Sequence, residues 1–132
     1  MSELRFLNPA TMPKTRGYTH VVETMGPGRT VYFSGQLGYT ADGTIASDFR
    51  GQAMQAFENL KAALASIGGD FSHVVKITNY FVNMDDLPAY FEVRDRFVNT
   101  AAPPASTAVE ISRLARAEAL FEVEAIAVLP PA

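Results

Sequence analysis

Glu122 and Glu124 stand two residues apart in the apolar run FEVEAIAV, Phe121 to Val128. Alternation along a strand puts both carboxylates on one face. A carboxylate among apolar neighbours needs a partner or a water. Glu122 is therefore a candidate site residue, with a salt bridge as its plain alternative. Upstream, in AAPPASTAVEI (Ala101 to Ile111), Pro103 and Pro104 make a rigid approach to two hydroxyls, Ser106 and Thr107. Such a lead-in suits the rim of a ligand site, and equally the plain start of a strand. Tyr18 can line a cleft or fill an interface with its hydroxyl on a backbone partner. His20 has the chemistry of an acid–base group at neutral pH, and equally that of a packed, satisfied strand histidine.

Composition narrows the chemistry. The chain has 132 residues, 48% of them hydrophobic and 19% charged, enough to bury the core of one soluble domain spanning residues 1–132. A net charge of −3 and a pI near 5.3 give no basic face for a phosphate backbone, so nucleic acid is not an expected partner. Cysteine is absent, which removes disulfides, thiol nucleophiles and zinc–thiolate sites. His20 and His73 lie far apart without ligand-like spacing, so neither a metal nor another cofactor is expected. MSELRFLNPA has no apolar signal core and no stretch is long enough to span a membrane, so the expectation is a cytoplasmic protein.

The elements that must hold these residues follow from periodicity. Residues 2–16 read as an irregular arm broken by Pro9 and Pro13. Gly17 to Met25 alternates as a strand, Gly26-Pro27-Gly28 turns, and RTVYFSGQ (Arg29 to Gln36) returns, predicting an N-terminal hairpin. Ser47 or Asp48 caps a first helix whose stripe is Phe49, Ala53, Ala56, Phe57, Leu60, Leu64 and Ile67, stopped by Gly68-Gly69. VVKITNYFV, Val74 to Val82, is a strand. Asp85-Asp86 place negative charge at the positive end of a second helix, striped by Leu87, Phe91, Phe97 and the stem of Arg94. Strands over Thr107 to Ser112 and Leu120 to Val128 close the order ββαβαββ.

That order predicts an α/β (α+β) fold in two layers, a mixed sheet with both helices on one face. Several strands carry apolar residues on both faces, for example Val75, Ile77 and Phe81 against Val74, Tyr80 and Val82. Two helices cover one face. The other would exceed the roughly 400 Å² of contiguous apolar surface that a soluble monomer tolerates, which predicts self-association.

Taken together, several segments resemble the Rid family (also called the YjgF family) across nearly the whole chain. They are Gly17-Tyr18-x-His20, VYFSGQLG from Val31, Gln52, Glu58-Asn59-Leu60-Lys61, Val74 to Thr78, the APPAS segment and FEVEAIAV. The resemblance implies a chorismate-mutase-like fold, a homotrimer and three clefts at the subunit interfaces. It also implies hydrolysis of reactive enamines and imines, with Glu122 holding the attacking water. Tyr18, and Ser34 with the Gly35 amide, would face the ligand. Phe91 stands where an asparagine is frequent, making that wall more apolar, and Ala108 where some members have cysteine.

The family's carboxylate-clamping arginine follows Pro-Ala, but Pro104-Ala105 is followed here by Ser106. One neutral hydrogen bond there replaces a charge-assisted pair, a deficit of a few kcal/mol. Arg16, Arg113 or Arg116 would have to restore the clamp. The reading is thus a small-molecule hydrolase or deaminase, poor on 2-iminobutanoate, whose substrate can lack the α-carboxylate. The alternative is a trimer that binds a small ligand without turnover. The ribonuclease or translation-inhibitor label borne by some members fits less well, given the acidic charge and the lack of paired histidines.

Overall fold

In the computed structural model, which describes residues 3–132, the amphipathic segment after Asp48 forms helix α1, Phe49–Ala65. The Asp48 carboxylate accepts the Gly51 N–H, so aspartate and not Ser47 is the cap. Phe49, Ala53, Ala56, Phe57, Leu60 and Leu64 are buried on one stripe, as their spacing requires. The chain leaves the helix through Gly68, whose φ of 77° suits glycine.

The stripe lies on a four-stranded sheet of β3 (Arg29–Gln36), β4 (Val74–Phe81), β5 (Ala105–Glu110) and β6 (Phe121–Leu129). Its strand order is β3-β6-β4-β5, with β4 and β5 parallel and β6 antiparallel to both its neighbours. Helix α2, Leu87–Arg94, packs beside α1 on the same face. Ile77, Phe81, Phe121, Val123, Ala125 and Ala127 point from the sheet into this layer and are at most 3% exposed. The expected mixed sheet with two helices on one face is the fold.

Several details differ from the expectation. The arm from residue 2 to Arg16 is not wholly irregular: Glu3–Leu7 is a strand, β1, which makes the order βββαβαββ; Ser2 lies outside the described residues. The strand expected over Gly17 to Met25 is only β2, Val21–Met25, and it pairs with β1 from Glu3↔Met25 to Leu7↔Val21. The β2–β3 hairpin does not form. β2 has mostly exposed positions and little to bury, whereas Val31 and Phe33 of β3 pack against the core and draw that strand into the main sheet beside β6.

Helix α2 stops at Arg94, leaving Phe97 in the turn beyond, and Asp85 and Asp86 belong to a 3-10 turn before it. Burial and the neighbouring Asp85 push the Asp86 carboxyl up, and its side chain caps nothing, so this pair adds little to the helix end. The register slips between Val74 and Lys76, turning Val74 onto the same face as Ile77 and Phe81. The face away from the helices is consequently less apolar than the alternation implied. Tyr32, 75% exposed, and Val109, 37%, share it with Lys76, Thr78, Thr107, Glu122 and Glu124.

Candidate functional site

On the face away from the helices, Glu122 pairs across the strands with Tyr80, and Glu124 with Thr78. Both carboxylates therefore share a side, as their spacing predicts. The Tyr80 hydroxyl donates to Glu124, and that bond raises the tyrosine's own pKa. Among the described residues no side chain bonds Glu122 in this way. Burial first, and then the charge of Glu124, pushes its carboxyl up. Across the strand β3 has an irregularity between Phe33 and Gln36, and Ser34 and Gly35 occupy it. A Cβ on Gly35 would stand 2.1 Å from Glu122 Oε1, so the carboxylate lies where only glycine leaves room. Glu122, Ser34 and Gly35 thus come together.

Ser106 and Thr107 do not. Strand β5 begins at Ala105, so both hydroxyls lie within the strand and face opposite sides of the sheet. Thr107 accepts a 2.7 Å bond from Lys76 Nζ on the Glu122 side. Ser106 faces the helices, paired with the buried Ile77, and borders a cleft of about 200 Å³. Tyr18, Phe91 and Leu87 give that cleft its apolar wall, while Arg16 and Arg94 stand at its border. Arg16 is exposed, and of the three arginines named as substitute clamps it alone borders the cleft. Arg116 lies over the Tyr39 ring, 5.6 Å from its centroid, on the connection before β6.

Thr19 holds this wall in place. Its hydroxyl donates to the Pro103 carbonyl at 2.5 Å and its N–H to the Pro104 carbonyl at 3.3 Å. The segment carrying Tyr18 is thereby tied to the proline lead-in of β5. His20 is a packed residue: its ring nitrogen sits 2.7 Å from the Pro13 carbonyl and its edge meets the Tyr18 ring.

Two contributors escape the periodicity argument, and a third, Arg94, is only half captured by it. Asn79, fully buried, donates to Ser106 Oγ at 3.1 Å and to the Thr107 carbonyl at 3.0 Å. Tyr90, 1% exposed, donates to Asn79 Oδ1 at 2.8 Å. Arg94 was expected to bury its stem alone, yet the whole residue is 4% exposed. Its guanidinium donates to the Gly17 carbonyl at 2.6 Å and to Asp95 at 2.7 and 3.1 Å, and it lies 4.9 Å from the Phe91 ring centroid. Those acceptors are what allow the charge inside. Gly17, at a positive φ, leaves the room this needs, since a Cβ there would stand 2.5 Å from Arg94 Nη2.

Among the described residues no three His, Asp or Glu side chains converge as metal ligands would, and no helix is long and apolar enough to cross a membrane.

The family model described as endoribonuclease L-PSP matches residues 10–129. The chain belongs to this family, the Rid/YjgF family. Its relatives in the family include a Dermatophagoides farinae protein named 2-iminobutanoate/2-iminopropanoate deaminase, 33% identical over 132 residues, 98% of this chain and 99% of the relative. Protein DfrA of Myxococcus xanthus is 39% identical over 119 residues, 88% of each chain. Among solved structures, the Rid-family protein YyfB of Yersinia pestis superimposes with a TM-score of 0.88 at 33% identity, covering 96% of this chain and 98% of that one. RidA from an Antarctic Psychrobacter gives 0.73 at 28% identity, covering 95% and 99%. The Rid fold therefore carries two separate groups of polar residues here, one on each face of its sheet.

Proposed function

We propose that this Rid-family chain is a small-molecule hydrolase that deaminates reactive imines or enamines in clefts built between copies, arranged as a homotrimer. Glu122 carries the reading. Burial and then Glu124 raise the pKa of its carboxyl, which overhangs Gly35, and no hydrogen bond or ion pair from the described residues occupies it. Such a group can take a proton from water as the water attacks an imine carbon, and return one to the departing ammonia. Ser34 and the Gly35 amide would hold the substrate beside it. Tyr18, Phe91 and Ser106 lie on the other face, so a neighbouring copy must present its cleft to this carboxylate for the residues to act on one molecule. The exposed Tyr32 and Val109, on the same face of the sheet as Glu122, support such packing.

Ser106 in place of the family's arginine argues for slow turnover of 2-iminobutanoate and for a substrate without an α-carboxylate. It also favours the competing reading, a trimer that binds its ligand without turnover. The net charge of −3 gives no support to a ribonuclease.

Imines generated in situ by an amino-acid oxidase, with ammonia release followed, separate these readings. Wild-type protein should turn over at least one imine, and Glu122→Gln should lower that rate about a hundredfold while sedimentation still shows a trimer. Ser106→Arg should raise the rate on 2-iminobutanoate. An unchanged rate in Glu122→Gln would sink the assignment of Glu122, and absence of turnover across the screen would favour the binding trimer.

A further inference from the structure

Of the segment Glu58-Asn59-Leu60-Lys61, the fold uses the middle two residues. Leu60 is fully buried in the α1 stripe, and Asn59 donates to the carbonyls of Leu37 at 3.1 Å and Tyr39 at 2.8 Å. Glu58 and Lys61 lie on another side of α1, in line with Met54 at the spacing of successive turns. Both are exposed, and among the described residues neither forms an ion pair. Arg96, in the turn after α2, is a third exposed charge without a counter-ion among the described residues. The carboxylates nearest it along the chain are taken, Glu92 by Arg50 and Asp95 by Arg94.

These three charges border one cavity of about 310 Å³, whose remaining lining is Met54, Phe71 and Phe97. That volume is at the small end of the range, roughly 300 to 1,000 Å³, that small ligands occupy. The Phe97 ring stacks on the fully buried Phe57, centroids 5.3 Å apart, and lies 5.6 Å from Phe71. The apolar floor is thus continuous with the core and held in place by it. None of these residues borders the cleft beside Ser106, and Glu122 is on the far face of the sheet. An acidic chain here carries two cations and one carboxylate around an aromatic base.

A carboxylate placed in this cavity gains both cations but leaves Glu58 facing a like charge. An ammonium gains Glu58 and faces two cations. A molecule that carries both groups on one carbon, with an apolar side chain, satisfies all three charges and covers the floor. We propose that this cavity binds an apolar α-amino acid. Its carboxylate lies on Lys61 and Arg96, its ammonium on Glu58, and its side chain on Phe71, Phe97 and Met54. The site is separate from the chemistry of Glu122 and does not rest on that reading. Because the charges are exposed, each contact adds little and is screened by salt, so selectivity comes from their combination. The order of affinity is amino acid, then carboxylate, then amine.

The test uses L-phenylalanine, hydrocinnamate, which lacks its ammonium, and phenethylamine, which lacks its carboxylate. Each is titrated into the whole protein, labelled at the methionine methyls and followed by NMR. L-Phenylalanine should shift the Met54 methyl and bind about fivefold more tightly than hydrocinnamate, with phenethylamine the weakest. Glu58→Gln should bring L-phenylalanine down to the level of hydrocinnamate. Arg96→Gln should weaken both compounds about fivefold. Both substitutions are at exposed positions and should leave the unfolding midpoint where it is. Phenethylamine binding as tightly as hydrocinnamate would overturn the proposal. So would an L-phenylalanine affinity unchanged in Glu58→Gln, a Met54 methyl that stays in place while another methionine shifts, or no binding of L-phenylalanine.

Discussion

Asn79 and Glu122 belong to strands that lie side by side, their positions one step apart in the register, and they live in different surroundings. Asn79 faces the helices, fully buried, with both ends of its amide in hydrogen bonds. Glu122 faces the other way, half-buried, with its pKa raised by burial and by Glu124 and no partner among the described residues to lower it. Satisfied polar groups on the helix side fix geometry. The carboxylate on the other side holds its proton more tightly than a free one does. The sheet separates a closed set of hydrogen bonds from a carboxylate with a raised pKa.

The sharpest way to break this contrast is to remove the fixed member. Asn79→Ala leaves the Tyr90 hydroxyl, the Ser106 oxygen and the Thr107 carbonyl to find other partners, and should cost about 2–4 kcal/mol in chemical denaturation. A loss below about 1 kcal/mol would show that the chain of bonds is slack. Gly35→Ala acts on the reactive member alone. The added methyl would meet the flexible end of Glu122 and displace it. Turnover should fall about tenfold, from a shift of the carboxylate by around an ångström, while the unfolding midpoint barely moves.

The smallest effect is a dependence on pH. Because folding raises the Glu122 pKa, the folded state holds the proton more tightly than the unfolded chain. Ionisation therefore subtracts stability as pH rises through that window. Glu122→Gln should be slightly more stable than wild type at neutral pH, with the gap closing below the ordinary carboxyl range. A gap that widens in acid would mean that Glu122 has a partner in solution.

Much of this was legible along the chain. The α1 stripe, its cap, and strands β3, β4 and β6 follow from local periodicity, and the shared face of Glu122 and Glu124 from a spacing of two. What local pattern does not contain is the partner of a strand: β2 looks equally ready for β1 or β3, and burial of Val31 and Phe33 decides. A one-residue slip at Val75 reversed the facing of Val74, and alternation cannot announce where a slip occurs. Adjacency suggests Ser106 and Thr107 as a pair, yet adjacency within a strand is what sends them to opposite faces. Arg94 was half legible. Its stem fitted the helix stripe, but its buried head depends on a carbonyl 77 residues away.

Thr19 clasps the carbonyls of Pro103 and Pro104 by main-chain and hydroxyl bonds together. The gap between the tyrosine-bearing segment and the serine-bearing strand is therefore gauged by backbone, like the jaws of a fixed spanner. Exchange of the side chains on either jaw should retune which molecules are gripped, while the span of the jaws stays as it is.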